Sequence, residues 1–490
     1  MSAALTRVAL DFGPWEPDAA LLGGAHAPEA RNVIPARRGY RPMHGLAPAQ
    51  FAPLPEQVRA GFSKKDGDTL LTYMATEGGI FALEAGDWVS KHSGTAVSEG
   101  RELLDYGMSL YALFGRELLR ADISGGVTSA FTPVDGAPGA EVMGVVRDFL
   151  VLGRLTEYQN GIQWSAIDDP TSWPAVGSDE AQYAQADRQI FPVGGCVQAI
   201  VGGVGGVDGL VFLEDAIQRM TYVGTPYIFQ FDPVDRDRGL LAPHSPVVAG
   251  ALCFYLSEDG WRVTDGSTVR GIGVERIDQW FFDACDQARI VETRGVHDAQ
   301  NRLALWTFAS PVAPPGVHDR MLVYNYAVDR WSHAVLNTET LFTDYTRGLT
   351  LEELDRYGVL SELPFASLDA RTLKPGRLGV FAVTDGHRLA NISGPTLEAV
   401  IDTAEQGGQR MMCHGFRPLV DSGAAQAMPL FRDRQQDTRR SGRATAQTRD
   451  GVCPQHLSCA YLAARVTVPA GDAWRNAVGV EAIIEKEELS

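Results

Sequence analysis

The feature that most constrains this chain is a rhythm of paired apolar runs. Thr69–Tyr73 leads through Gly78-Gly79 to Ile80–Leu83, Ser109–Phe114 through Gly115 to Leu118-Leu119, and Phe149–Leu152 through Asn160-Gly161 to Ile162–Ser165. Leu210–Leu213 leads to Ile217–Val223, Leu252–Leu256 through Asp259-Gly260 to Trp261–Val263, and Leu303–Phe308 to Met321–Tyr326. Leu378–Val383, turning at Asp385-Gly386 into Arg388–Ile392, closes the series. Short runs rich in β-branched and aromatic residues, joined by Asn-Gly or Asp-Gly, are hairpin signals. At Asp259-Gly260 the pattern predicts a type I′ turn. The runs begin 40, 40, 61, 42, 51 and 75 residues apart. A hairpin unit returning every 40 to 50 residues predicts radial repetition, with the long intervals carrying insertions. The expected fold is therefore all-β: a propeller of six or seven blades over 63–394, with insertions at about 270–290 and 338–376. A β-sandwich also has many short strands, but seven units in a row suit a propeller better.

Helical signal is sparse. Arg276–Arg289 and Thr350–Tyr357 read as short helices, the second with Thr350 as N-cap and Glu353 completing a capping box. Both fall in the stretched intervals. Residues 1–62 are rich in Pro, Ala and Arg with little periodicity, which predicts an extended arm of the kind that becomes ordered by lying on a partner. After residue 395 the rhythm stops. Thr396–Ala404, Met411–Leu419, Ala460–Val468 and Ala477–Ile484 then suggest a small separate β-sandwich-like platform domain over 395–490.

Composition narrows the function. Lys+Arg is 43 against Asp+Glu 61, a net charge of −18, which argues against a chain built to grip nucleic-acid phosphates. No apolar run is long enough for a membrane helix, and the N-terminus meets Asp11 too soon for a signal peptide. Six cysteines occur without a CxxC or a His at zinc spacing, so reduced, buried thiols are expected, with no metal site and no disulfide framework. Only five of the basic residues are Lys, leaving 38 Arg, whose forked contacts suit protein interfaces.

The chain holds no GxSxG, HExxH, P-loop or GxGxxG, so no catalytic activity, cofactor or metal is expected. Gly202–Gly209 reads as a hairpin turn. Asp232–Gly239 holds several acids, but the interleaved Arg236 and Arg238 make a salt-bridged turn the better reading than a calcium loop. Ser257–Trp261 lacks the full spacing of a sialidase Asp-box. The Arg-rich stretch 432–449 and the arm segment 31–41 remain. Their candidate subunit or partner contacts are Arg31, Arg37, Arg38, Tyr40 and Arg41, with Arg432, Arg434, Arg439, Arg440 and Arg443 in the loop. A solvated loop, a protein contact and a nucleic-acid backbone contact all stay open for 432–449.

A family resemblance joins these readings. FGPWEPD (12–18) followed by EARNVIPARRGYRPM (29–43) resembles the N-terminal signature of a group of bacteriophage virion proteins. Further matches in the same order are IDDPTSW (167–173), AIQRMTYVGTPYIFQFD (216–232), FYLSEDGWRVTDG (254–266) and IDQWFFD (277–283). LVYNYAVDRWS (322–332), TLEELD (350–355), LPFASLDARTLKPG (363–376) and RVTVPAGDAWRNAVGV (465–480) complete the set. The chain is similar to the tail nozzle, or hub, proteins of short-tailed phages, also called packaged-DNA stabilisation proteins. Matches are weaker over 1–10 and 425–450. The resemblance implies a homo-hexameric propeller in the virion tail, made in the host cytoplasm and placed below the portal and adaptor rings. It would dock its arm, residues 1–62, on a neighbouring ring. It would also contact the adaptor and tail fibre or tailspike proteins, retain the packaged genome, and let double-stranded DNA pass without specific binding. An acidic wall suits that task, since six copies would carry about −108 of formal charge, screened over about 8–10 Å. Two alternatives are a glycan-binding or glycan-cleaving tail propeller, and a plain adaptor module outside the channel.

Overall fold

The computed structural model describes residues 5–20, 25–67, 69–95, 101–345 and 378–486. All seven expected hairpins are present as antiparallel pairs, with partners such as Tyr73↔Ala82, Leu113↔Leu118 and Val383↔Leu389. Six lie in separate small sheets, and these are the blades of a six-bladed β-propeller arrangement. Each blade adds an inner and an outer strand to its hairpin. The first runs Val58–Asp66, Thr69–Thr76, Gly79–Glu84, Asp87–Ser93 in simple meander order. The seventh hairpin belongs to a meander of the same build, Arg294–Asp298 to Arg330–Thr338. Its innermost strand touches the innermost strands Val247–Ala249 and Thr340–Tyr345 on either side. It occupies the sector between those blades, but its hydrogen bonding continues outward into a large sheet of fifteen strands.

The turns follow glycine chemistry with one correction. Ser257 pairs with Gly260, and the positive φ falls on Gly260 (+122°) while Glu258 and Asp259 are not left-handed, so this is not the type I′ turn expected. A Cβ on Gly260 would lie 2.2 Å from an Asp278 carboxylate oxygen, so the turn and the helix behind it share that space. That helix is Asp278–Ala284, inside the expected 276–289 segment. A second short helix, Asp179–Ala184, was not expected from the sequence; Ser178 caps it by accepting from the Ala181 amide at 3.1 Å. The second helix expected from sequence, Thr350–Tyr357, lies outside the described residues, as does most of the 338–376 insertion.

The two ends of the chain form one body, and here the expected domain plan is corrected. The large sheet contains the long strands Gln406–Val420, Cys453–Val468 and Ala477–Lys486, but it also takes in Thr6–Asp11, Ala30–Arg31, Val33–Pro35 and Tyr40–Pro42. Thr6–Asp11 pairs with Ala477–Lys486, and Ala30–Arg31 is inserted between Arg330–Thr338 and Ala399–Asp402. Ala47–Pro48 then supplies the outermost strand of the last blade, beside Leu389–Asn391. The N-terminal segment is thus bound within its own chain. Nor is the C-terminal part separate: one hydrophobic core runs from Phe254, Trp261 and Trp306 of the propeller through Ile401, Phe416, Val466 and Val480 of the sheet. Aromatic rings fill the joint, with Trp261–Trp306 centroids 4.4 Å apart, Tyr324–Trp331 4.3 Å, and Trp15 edge-on to Trp280 at 4.7 Å.

All six cysteines are free, and all but Cys196 are buried. Gly202 pairs with Gly209, as expected of a hairpin. In the Asp232–Gly239 segment, Asp232 pairs with Arg219 at 3.2 Å and Arg238 with Asp259 at 2.9 Å.

Candidate functional site

The residues singled out in the arm divide by burial. Tyr40 is 1% exposed, its hydroxyl donating to Gly13 O at 2.8 Å and its ring lying 4.9 Å under the Arg330 guanidinium. Burial first, and against it the Arg330 charge, leave its phenol pKa raised well above the ordinary value. It is a core residue and unavailable to a partner, which corrects its assignment as an anchor. Neighbouring Gly39 adopts φ +71°, and a Cβ there would sit 1.9 Å from Ala477 O, so only glycine admits this approach. Arg31 pairs with Glu398 at 3.2 Å, and the Arg41 Nε is buried without a hydrogen-bond partner. Arg37 and Arg38 are exposed, with Arg38 3.7 Å from Asp11.

The Arg-rich loop divides in the same way. Arg432 is buried, with Nε 3.1 Å from the fully buried Glu405 carboxylate, and Arg439 approaches the other oxygen of Glu405 at 3.6 Å. These two arginines anchor the loop to the sheet rather than reach outward, again a correction. Arg434, Arg440 and Arg443 are exposed, Arg440 pairing with Asp433 at 2.7 Å. The surface set that remains is therefore Arg37, Arg38, Arg434, Arg440 and Arg443.

A second charged grouping, not found from the sequence, gathers at one mouth of the propeller axis. The innermost strands open with Arg59, Glu102 and Arg294, in Val58–Asp66, Arg101–Tyr106 and Arg294–Asp298. Neighbouring strand openings meet here: Met143 N donates to Glu102 at 2.7 Å and Val58 N to Glu339 at 2.9 Å. Arg59 pairs with Glu77. Arg289 makes a forked contact to Glu292, 3.0 Å from Nε and 2.9 Å from Nη2. The buried His318 ring meets Thr307 Oγ1 at 3.0 Å. The Arg294 side chain makes no hydrogen bond or ion pair among the described residues. Burial pushes the Glu102 carboxyl up to about 7, against the pull of the Met143 amide and Arg294. Burial and the Arg59 charge bring Arg294 down to about 10, and burial and Arg294 bring His318 down to about 3. The sequence signal for this grouping is a charged residue shortly ahead of a hairpin. Arg59, Glu102 and Arg294 stand ten, seven and nine residues before Thr69, Ser109 and Leu303.

Among the described residues, no three His, Cys, Asp or Glu side chains are grouped to hold a metal, and no helix is long and apolar enough to cross a membrane. No family model matches this chain, and no curated protein does. Solved structures share the general architecture at low similarity. The extracellular domain of a hybrid two-component system from B. thetaiotaomicron is 10% identical with a TM-score of 0.42, over 84% of this chain and 47% of that one. This chain thus spans about half the length of that neighbour. BBS1N, solved in complex with ARL6DN, is 10% identical with a TM-score of 0.41, over 72% of this chain and 97% of that one. At these values the likenesses carry no argument about function.

Proposed function

We propose that this chain is the tail nozzle of a short-tailed phage: a hexameric, non-enzymatic virion component that extends the DNA channel below the adaptor and portal. The observation that carries the reading is a convergence of the motifs behind the resemblance. From FGPWEPD, Trp15 packs on Trp280 of IDQWFFD, and Asp18 accepts from the Gln279 and Trp280 amides at 2.8 and 2.9 Å. Arg330 of LVYNYAVDRWS donates to Phe12 O at 3.2 Å and Ala36 O at 2.9 Å. Phe12 N donates to Val478 O, in RVTVPAGDAWRNAVGV, at 3.0 Å. Stretches some 450 residues apart thus build one joint, and it is this joining of the motifs that supports the reading.

The charge of −18 supports a conduit along which DNA slides without sticking. In a ring closed by heterologous contacts, the exposed Arg37, Arg38, Arg434, Arg440 and Arg443 are the candidates for contact with neighbouring copies, the adaptor, or a fibre or tailspike. The axial Arg, Glu and His grouping differs from the carboxylate or Tyr cluster of a glycan-cleaving propeller, so we favour the structural role. The test is imaging of the native particle together with native mass of the purified chain. Six copies around the tail axis are expected. A protein that stays monomeric in all conditions, with no ring at the tail, removes the nozzle reading.

A further inference from the structure

The axial mouth holds a guanidinium that the fold has placed but not satisfied. Gly295 N donates to His244 O at 2.8 Å, which fixes the backbone beside Arg294. A Cβ on Gly295 would fall 2.4 Å from Val247 and 2.7 Å from Ser245 O, so glycine is what lets the strand seat there. The acids near Arg294 are already engaged. Glu292 is held by Arg289, Glu77 by Arg59, and Glu102 accepts from the Met143 amide. Further donors stand idle. The Arg59 Nε is buried without a partner, and the His244 ring makes no hydrogen bond to the described protein. Arg294 and His244 are part-exposed, so their donors can be reached from the axial mouth, and a forked donor without a protein counter-charge is best satisfied by an oxyanion.

We propose that this mouth binds a phosphate-class oxyanion, held by the Arg294 guanidinium with Arg59 Nε and the His244 ring as further donors. A tetrahedral anion offers acceptors in several directions at once, which suits donors arriving from three separate strand openings; a carboxylate offers two in one plane. His244 is kept neutral by burial and by Arg294, and a neutral imidazole still donates one N–H. The groups facing the site are Arg59, Glu77, Glu102, His244, Glu292 with Arg289, and His318. Of these, Glu102 titrates in the neutral range, near 7. Below that value its negative charge disappears and the anion binds more tightly. The inference does not depend on the nozzle reading.

The test is thermal unfolding of the purified full chain in inorganic phosphate, with ionic strength held constant by chloride. A saturable rise in Tm of about 1–3 °C is expected. It should be lost in Arg294→Gln and kept in Arg236→Gln, an exposed arginine elsewhere on the surface. A sulfate arm, whose ligand charge is constant, should show severalfold tighter binding at pH 6 than at pH 8, and that difference should vanish in Glu102→Gln. A short DNA duplex separates the sources: a shift from phosphate alone assigns a small oxyanion, and a shift from the duplex as well assigns a phosphodiester. Equal shifts in phosphate and chloride, or an undiminished shift in Arg294→Gln, overturn the proposal. Should Arg294→Gln not fold, calorimetric titration of phosphate into Arg294→Lys decides. The lysine keeps the charge without the fork, so about tenfold weaker binding is expected, and unchanged affinity overturns the site.

Discussion

Arg330 shows what a single buried arginine does in this molecule. It lies across the N-terminal segment and donates to the carbonyls of Phe12, Gly13, Ala36 and Gly39 while covering the Tyr40 ring. Gly13 O also accepts from Tyr40 and Gly39 O from the Ala36 amide, while for the Phe12 and Ala36 carbonyls the guanidinium takes the place of a strand. Arg330→Ala takes the side-chain donor from the Phe12 and Ala36 carbonyls and uncovers Tyr40, and a loss of about 3–5 kcal/mol in denaturant unfolding is expected. Arg434→Ala, at an exposed position, should change stability by less than about 0.5 kcal/mol. A similar loss in both variants would show that the arginines share a surface role. Local sequence does not reveal the difference in burial: Arg330 follows Asp329 between two aromatic runs, and Arg434 stands in an Arg-rich stretch. What separates them is a partner some 300 residues away.

Among the elements, the helix Asp278–Ala284 has a cap that local sequence does not supply. Its N-cap position, Ile277, offers no side-chain acceptor, and Asp18 provides both oxygens from the far end of the chain. Asp18→Ala should cost about 1–2 kcal/mol and raise amide exchange at Gln279 and Trp280 while leaving the blades unchanged; unaltered exchange at those two amides would refute the capping role. The same distinction explains how much of the fold the sequence discloses. The seven hairpins are legible because run, turn and return run are local, and Gly260 or Asn160-Gly161 mark the bend. The innermost and outermost strands are not. Val58–Asp66 (VRAGFSKKD) begins beside the axis and carries charge there, and Asp87–Ser93 (DWVSKHS) has one face in solvent, so neither shows a clean apolar run. The axial grouping is hidden for that reason: its members belong to the strands the pattern misses. Ala30–Arg31 and Ala47–Pro48 are two-residue strands with no periodicity to read, fixed only by the ladders they join.

For the whole molecule, buried ionisable groups set two opposing slopes of stability against pH. His318, held near 3 against an ordinary 6.5, contributes stability that is present above 6.5 and lost as pH falls toward 3. Glu102, near 7 against an ordinary 4.5, contributes stability that is present below 4.5 and lost as pH rises through 7. Asp278, raised by burial to about 6, acts in the same direction as Glu102. Denaturant unfolding from pH 4 to 8 should show His318→Gln losing its disadvantage to the wild type on the acid side, by on the order of a few kcal/mol. Glu102→Gln should gain on the wild type between 4.5 and 7, and parallel profiles for all three proteins would refute these assignments. The pairing of Thr6–Asp11 with Ala477–Lys486 has a further consequence, for synthesis. Thr6–Asp11 is made hundreds of residues before the strand that becomes its neighbour, and Ala47–Pro48 likewise waits for Leu389–Asn391 of the propeller's last blade. The growing chain therefore stays unsealed until Ala477–Lys486 has emerged, and that strand acts as the latch that locks the structure.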